Sequence, residues 1–174
     1  MGIPRLLEIF EQLGIKATFF VDVYNVQKRI STNSLKSLCN LIVQNGHEVG
    51  LHTHPEKTTA NNSHLFDSPV GYLADYDQKT QVQLLDYGKK RLEDWTGFSI
   101  TTHRGGSYSI NQYTLELLNR LGFKTDASVF WPALDYDFVP ADKPDDTIYV
   151  YSYRSPDTLF ILTLLPPPKE ERSK

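Results

Sequence analysis

Two histidines stand two residues apart where a short apolar segment ends, in the stretch GHEVGLHTHPE that covers residues 46–56. On an extended backbone this spacing directs the imidazoles of His52 and His54 to one face. Imidazole suits zinc, cobalt, nickel or iron. A catalytic metal needs about three protein ligands and one open position, and Glu56 offers a further oxygen. The alternative is a solvated loop that carries two ordinary surface histidines.

Polar residues also occur where the neighbouring apolar segments end. The set comprises Asp22, His103, Arg104, Asp126 and Ser128. In parallel α/β folds the ligand sites lie at the carboxyl ends of the strands. A purely structural rim does not require titratable side chains at successive strand ends. We therefore expect these residues to share one edge of a sheet with the two histidines.

Arg104 and Asp126 are the members of this set with the clearest chemical use. Arg104 precedes two glycines, which let a backbone segment or a ligand approach closely. An arginine at a strand end can hold a carboxylate ionised, although a surface arginine in a glycine turn is an equal alternative. Asp126 lies in the apolar context GFKTDASVF and needs a partner if it is buried. Without further information, the simpler interpretation is that it caps a neighbouring helix.

The sequence contains no classical nucleophile. Cys39 is the only cysteine and lies in a predicted helix, so an internal disulfide and a cysteine-based zinc site are both ruled out. There is no serine in a G-x-S-x-G turn and no glycine-rich phosphate loop. A hydrolase built on these residues would use metal-activated water.

One pattern recurs four times and must position these residues. An amphipathic segment ends at a glycine, and a short run rich in Val, Ile, Phe and Thr follows at once. The glycines, placed where left-handed helix caps belong, are Gly14, Gly46, Gly97 and Gly122. The candidate helix N-caps are Asn33, Asp77 and Asn111. The apolar runs are too short for helices and indicate buried strands.

Four helix–glycine–strand units predict an α/β fold with a mainly parallel sheet and the helices outside it. An open sheet and a barrel both satisfy this pattern. The segments TIYVYSY and TLFILTLL, which begin at residues 147 and 158, are predicted to be closing strands. Residues 55–76 and 130–147 are predicted loops, and residues 166–174 a disordered tail.

Composition and charge narrow the class of protein. A chain of 174 residues is long enough for one domain with a substantial core. The net charge of −3 gives no electrostatic reason to expect nucleic acid or an anionic membrane as a partner. No apolar stretch approaches the ~20 residues of a membrane span. The amphipathic, acid-containing N-terminal segment is not a signal peptide, so a cytoplasmic location is the default expectation.

Four segments in order over residues 3–130 resemble the polysaccharide deacetylases, carbohydrate esterase family 4, which carry the NodB-homology domain. IPRLLEIFEQLGIKATFFV is similar to the segment after the family's first motif, and NGHEVGLHTHPE to its metal-binding second motif. HRGGSYSI resembles the arginine-led third motif, and LGFKTDASVF resembles the fourth, which carries an aspartate. The resemblance implies a distorted (β/α) barrel with fewer than eight strands over residues 1–165, and it favours the barrel over the open sheet.

The resemblance also implies a divalent metal, with zinc preferred. His52 matches the first metal-binding histidine of the second motif. The family's usual second histidine stands four positions later, where this chain has Glu56. His54 is the candidate substitute, in a His-x-His form of the motif.

Catalytic and substrate-binding roles follow from the same resemblance. Arg104 matches the arginine that orients the catalytic aspartate. Asp126 matches the aspartate that tunes a catalytic histidine. Tyr108, in the third motif, is expected to line the sugar groove. The implied substrate is an N-acetylated glycan, and the implied reaction is metal-dependent hydrolysis of its non-peptide C–N bond.

Two family motifs have no match in this sequence. The Thr-Phe-Asp-Asp run, which supplies the general base and one metal ligand, would lie just before Ile3. The late histidine that acts as general acid is also absent, since no histidine follows His103. The resemblance thus implies a domain that lacks its first strand and two catalytic groups. The alternative function is a catalytically inactive or truncated relative, which binds a glycan or metal without turnover.

Overall fold

Helices and strands alternate from the N-terminus through β4. The computed structural model describes residues 2–24, 30–55, 71–128, 149–155 and 158–164. The elements are α1 (Ile3–Leu13), β1 (Thr18–Asp22), α2 (Thr32–Gln44), β2 (Glu48–Thr53), α3 (Gln78–Thr96), β3 (Thr102–Gly105), α4 (Gln112–Arg120), β4 (Thr125–Asp126), β5 (Tyr149–Ser155) and β6 (Thr158–Leu164). Single 3₁₀ turns occupy Leu73–Asp75 and Gly106–Tyr108. Most of the two predicted loops and the predicted tail lie outside the described residues.

Strands β1 to β4 form one sheet in chain order, and every pairing within it is parallel. Consecutive parallel strands joined by right-handed crossovers place all their helices on the same face of the sheet. This is the winding of a barrel wall, whereas a doubly wound sheet has helices on both faces. The predicted α/β fold with a parallel sheet is confirmed. Strands β5 and β6 also exist, but they pair with each other as an antiparallel hairpin in a separate sheet.

The two faces of the parallel sheet differ in composition. Val21, Val49 and Leu51 are buried on one face and belong to the hydrophobic core. The helices contribute most of the remaining core: Leu7, Cys39, Ile42, Leu84, Leu85, Leu92, Trp95, Leu115, Leu117 and Leu118. Positions one residue further along the strands form a row on the opposite, half-buried face. Its members in register are Asp22, His52 and Arg104.

The helix ends follow the predicted chemistry with one exception. The four predicted cap glycines all have positive φ, between 65° and 80°, and the side chains of Asp77 and Asn111 cap α3 and α4. The prediction of Asn33 as a cap is wrong. Ser31 caps α2 instead, because its hydroxyl accepts a hydrogen bond from the backbone N–H of Ser34 at 3.1 Å. Both residue types favour this position, so the sequence did not distinguish them.

Cys39 and His47 have structural positions. Cys39 is fully buried on α2, and burial raises the pKa of its thiol to about 11, so it is not a reactive nucleophile. His47 is buried, and its Nδ1 accepts a hydrogen bond from the backbone N–H of Ala17 at 3.2 Å. The rings of Phe10 and Phe19 pack edge-on against it, each with centroids 5.7 Å away. Within the described residues no helix is long and apolar enough to cross a membrane.

Candidate metal and substrate site

His52 is the best-oriented candidate metal ligand. It lies near the carboxyl end of β2, half-buried, with its Nδ1 2.8 Å from the backbone carbonyl oxygen of Arg104. A carbonyl oxygen can only accept a hydrogen bond, so Nδ1 carries the proton and donates it. The lone pair is then on Nε2. Histidines that bind metals are commonly oriented in this way, by a hydrogen bond from the other ring nitrogen.

The surroundings of His52 also favour its neutral form. Burial lowers the pKa of His52 below its ordinary value of 6.5, although the hydrogen bond to Arg104 opposes this effect. The nearby His54, His103 and Arg104 lower the pKa further, because each disfavours a second positive charge. A neutral imidazole is the form that binds a metal ion. The ring is therefore ready to act as a ligand at neutral pH.

His54 lies beside His52, as the spacing predicted. The centroids of the two rings are 4.5 Å apart and the rings are nearly perpendicular. Gly106 leaves the room for this arrangement, because a Cβ there would lie 2.5 Å from the His54 Nδ1 and from the Thr53 carbonyl oxygen. The second glycine of HRGG is thus a packing requirement of the histidine pair. Glu56, the other candidate ligand, lies outside the described residues.

The pair does not by itself complete a metal site. Across the part of the chain that the structure describes, no cluster of three or more His, Cys, Asp or Glu side chains is arranged to hold a metal. A catalytic zinc site uses about three protein ligands and one open position. The described residues therefore supply two imidazoles of the donor type that zinc prefers, and the set needs a further oxygen or nitrogen.

Arg104 and Tyr108 form a second feature close to the histidines. The Arg104 guanidinium donates a hydrogen bond to the Ala127 carbonyl oxygen at 3.2 Å and lies 4.8 Å from the centre of the Tyr108 ring. Ser107 and Tyr108 both have left-handed backbones, with φ of 52° and 59°. This conformation is uncommon for residues other than glycine, and such strain often occurs at functional sites. The turn places an exposed aromatic ring beside a cation.

A buried polar network underlies this edge of the sheet. Asp126 and His103 are both fully buried, and the His103 Nδ1 is 2.6 Å from the Asp126 Oδ1. The hydroxyl of Thr53 lies 3.1 Å from the His103 Nε2. Ser128 donates to Asp126 twice, from its hydroxyl at 2.7 Å and from its backbone N–H at 3.0 Å. Asp126 thus has the partners that a buried carboxylate needs.

This network has the connectivity of a hydroxyl–imidazole–carboxylate triad but lies in the wrong place for one. Thr53 is 1% exposed and His103 is not exposed at all. A nucleophile has to reach its substrate, so the Thr53 hydroxyl cannot attack one from this position. The network belongs to the core face of the sheet, directly behind the half-buried row that contains His52.

Sequence reasoning placed the site residues at one edge but missed the partnership of His103 with Asp126. The structure brings His52, His54, Arg104 and Tyr108 to that edge. Asp126 lies in register with His103 and in the same sheet, on the core side. An aspartate in an apolar segment together with a histidine in the preceding predicted strand was the signal that could have revealed the pair. The catalytic and substrate-binding roles of these residues stay predictions.

A family model and two known proteins match this chain, and all three are described as deacetylases. The family model described as polysaccharide deacetylase matches residues 2–125. A peptidoglycan deacetylase of Helicobacter pylori is 27% identical over 140 residues, which is 80% of this chain and 40% of that protein. A peptidoglycan-N-acetylglucosamine deacetylase of Bacillus cereus is 27% identical over 128 residues, or 74% of this chain and 49% of the relative. The chain spans less than half the length of these two relatives.

Solved structures share the fold. A Mycobacterium smegmatis protein provisionally assigned to the polysaccharide deacetylases aligns with a TM-score of 0.65 at 21% identity, over 94% of this chain and 45% of its own. A pseudoenzyme of the CE4 family from Bacillus anthracis aligns with a TM-score of 0.55 at 18% identity, over 71% of this chain and 37% of its own. A mutant of that pseudoenzyme is described as having restored enzymatic activity.

Proposed function

Because this chain belongs to the polysaccharide deacetylase family, we propose that it forms part of a metal-dependent hydrolase that removes acetyl groups from an N-acetylated glycan. The observation that carries the proposal is the orientation of His52. Its Nδ1 donates to the Arg104 carbonyl oxygen at 2.8 Å, which leaves Nε2 with its lone pair for a metal. Zinc is the metal that this donor set suits best.

The chain's own residues fit such a metal. His52 and His54 provide two adjacent imidazoles, and Glu56 is the candidate for a further ligand two residues later. When bound, zinc supplies Lewis-acid chemistry at the acetyl carbonyl and at a water molecule. The protein contributes the fixed orientation of His52 and the space for His54 that Gly106 leaves. These features hold the imidazoles in place before a metal arrives.

Arg104 and Tyr108 fit the substrate side of the proposal. Tyr108 is 41% exposed and offers an aromatic face of the kind on which a sugar ring stacks. The guanidinium 4.8 Å from that ring supplies hydrogen-bond donors for hydroxyl or acetyl oxygens. Both curated relatives named above carry peptidoglycan deacetylase names. We infer that the glycan is built from N-acetylated amino sugars, as in peptidoglycan or chitin.

A second candidate function is binding of a glycan or metal without turnover. One observation favours it: Asp126, which the resemblance assigns to tuning a catalytic histidine, is bonded to His103 in the core. His103 is fully buried and cannot give a proton to a leaving amine from that position.

Zinc titration followed by a deacetylase assay separates the candidates. We expect the purified chain to bind zinc saturably, as measured by calorimetry and by elemental analysis after dialysis. Release of free amine from chitin oligomers or peptidoglycan fragments would then support the deacetylase. Zinc binding without amine release would support the second candidate, and the absence of saturable zinc binding would overturn the metal proposal.

Gly106→Ala is expected to weaken zinc binding roughly 10-fold or more, an effect comparable with the loss of a residue that orients a ligand. The added Cβ would lie 2.5 Å from the Thr53 carbonyl oxygen and from the His54 Nδ1, so His54 has to move. The measurement is zinc affinity by calorimetry, with thermal unfolding of the same samples.

Gly88→Ala is the matched control for this substitution. A Cβ at Gly88 would lie 2.6 Å from Leu51 Cδ1 and from the Tyr24 hydroxyl, deep in the packing of α3 against the sheet. It is expected to lower the unfolding temperature and leave zinc affinity unchanged. Equal zinc affinities for Gly106→Ala and the unsubstituted chain would contradict the proposed position of His54 in the site.

A further inference from the structure

Three buried polar side chains connect the ends of three adjacent strands. Thr53 on β2 bonds to the His103 Nε2 on β3, and the His103 Nδ1 bonds to Asp126 on β4. Most other side chains on the core face of the sheet are apolar, for example Val21, Val49 and Leu51. Burying polar groups is unfavourable unless they are hydrogen-bonded, and an apolar core is often at least as stable. Stability alone therefore does not explain why these three buried positions are polar, and we looked for a role in the neighbouring site.

The donor and the acceptor of each hydrogen bond around Asp126 can be assigned. Asp126 accepts from the Ser128 hydroxyl and backbone N–H, and as a carboxylate it also accepts from the His103 Nδ1–H. The Ser128 hydroxyl oxygen in turn accepts from the Gly105 backbone N–H at 2.7 Å. With Nδ1 committed to Asp126, the His103 Nε2 faces the Thr53 hydroxyl. The imidazole is thus held at both nitrogens, and its ring cannot turn without losing a bond.

The ends of β2 and β3 are joined on both faces of the sheet. On the core face, Thr53 bonds to His103. On the opposite face, the residues next to them in the chain make the second link, in which the His52 Nδ1 donates to the Arg104 carbonyl oxygen. The two links lie one residue apart on each strand, so a shift that breaks the first also changes the distance across the second.

We propose that His103, held by Asp126, is a positioning residue that fixes His52 through Thr53. It keeps His52 in the Nδ1–H tautomer and presents Nε2 to a ligand. Positioning His52 is useful only if the proposed metal site exists, so the proposal rests on the proposed function. The hydrogen bonds that position His52 are present without a metal. His103 itself touches no substrate or metal, because it is fully buried.

Thr53→Val tests this proposal with little change of shape. It removes the hydroxyl that contacts His103 and retains the branched side chain. Thr114→Val is the matched control, since Thr114 is also fully buried and its hydroxyl bonds to Gln81 on α3 at 2.7 Å, outside the Thr53–His103–Asp126 network. Thr114→Val also loses the contacts of this hydroxyl with Asn111 at the start of α4, so it is expected to cost at least as much stability as Thr53→Val.

The first readout is the ring tautomer of His52 in the metal-free chain, from nitrogen-15 NMR spectra of histidine-labelled protein. We expect a single Nδ1–H form in the unsubstituted chain and in Thr114→Val, and a mixture of tautomers in Thr53→Val. The second readout is zinc affinity, expected to fall about 10-fold in Thr53→Val alone. His103→Asn, whose amide can still donate to Asp126 but does not reach Thr53, should resemble Thr53→Val.

Two results would overturn the proposal: an unchanged His52 spectrum in Thr53→Val, or equal changes in Thr53→Val and Thr114→Val. The second would show that any loss of core stability loosens His52. If the unsubstituted chain binds no zinc, the proposed function fails, but the NMR comparison still decides whether His103 positions His52.

Discussion

His52→Ala is expected to lower zinc affinity at least about 100-fold, because loss of a ligand should exceed the effect of losing a residue that only orients one. Nε2 of His52 is the nitrogen that the hydrogen bond to Arg104 leaves with a lone pair. The measurement is zinc affinity by calorimetry or by competition with a chelating dye. If the unsubstituted chain deacetylates a glycan, amine release should fall with the affinity.

His52→Asn separates the ligand from its orientation. The asparagine amide reaches the position of Nδ1 and can donate to the Arg104 carbonyl oxygen, but it has no counterpart of Nε2. We expect it to lose zinc as fully as His52→Ala while unfolding closer to the temperature of the unsubstituted chain. Zinc affinity retained in His52→Asn would show that His52 is structural and that the metal lies elsewhere.

His47→Gln is the control for replacing a buried histidine that lies outside the proposed metal site. His47 is buried between Phe10 and Phe19, and its Nδ1 accepts from the backbone N–H of Ala17. Its replacement is expected to reduce stability and leave zinc affinity unchanged. A fall in zinc affinity here would mean that the measurement follows folding and not the site.

The elements and the edge that carries the site were predictable because they depend on local patterns. Each helix has an apolar stripe, and a glycine with positive φ ends or follows it, so the chain must turn there. The His-x-His spacing fixes which face both rings share once the segment is a strand. These features need only a few neighbouring residues, and the structure confirms the pairing of His52 with His54.

The pairing of His103 with Asp126 depends on strand register and could not be predicted in the same way. Twenty-three positions separate the two residues in sequence, and they meet because Thr102 pairs with Thr125 and His103 with Asp126. A shift of the register by one residue would put the aspartate on the other face. The local sequence shows which residues alternate between the two faces of a strand, but not which residues of β3 and β4 stand opposite each other.

The left-handed turn at Ser107 and Tyr108 could not be predicted from the sequence for a different reason. The two glycines of HRGG were expected to let a backbone segment or a ligand approach closely. The structure agrees, since a Cβ at Gly105 would collide with the Ser109 carbonyl oxygen. The left-handed residues are Ser107 and Tyr108. Neither is a glycine, so residue type did not mark this conformation in the sequence.

Removing either partner of the buried histidine–aspartate pair is expected to cost about 3–5 kcal/mol of unfolding free energy, the range for breaking a buried pair. His103→Ala leaves the Asp126 carboxylate without its shortest hydrogen bond, 2.6 Å long, in surroundings that exclude water. Asp126→Ala leaves the imidazole with an unpaired Nδ1. Urea unfolding, followed by circular dichroism, measures both changes.

The double substitution His103→Leu with Asp126→Leu decides whether the pair acts as a unit. If the single losses come from leaving one polar partner buried and unpaired, replacing both with apolar groups should restore much of the stability. The exposed pair Lys90–Asp86, with a 2.8 Å contact on α3, is the surface control and should contribute little. Losses that simply add in the double variant would mean that the two side chains stabilise the fold independently. The double variant can also recover its stability while His52 still populates both tautomers. That outcome would show that the polar network positions His52, because an apolar replacement folds equally well without it.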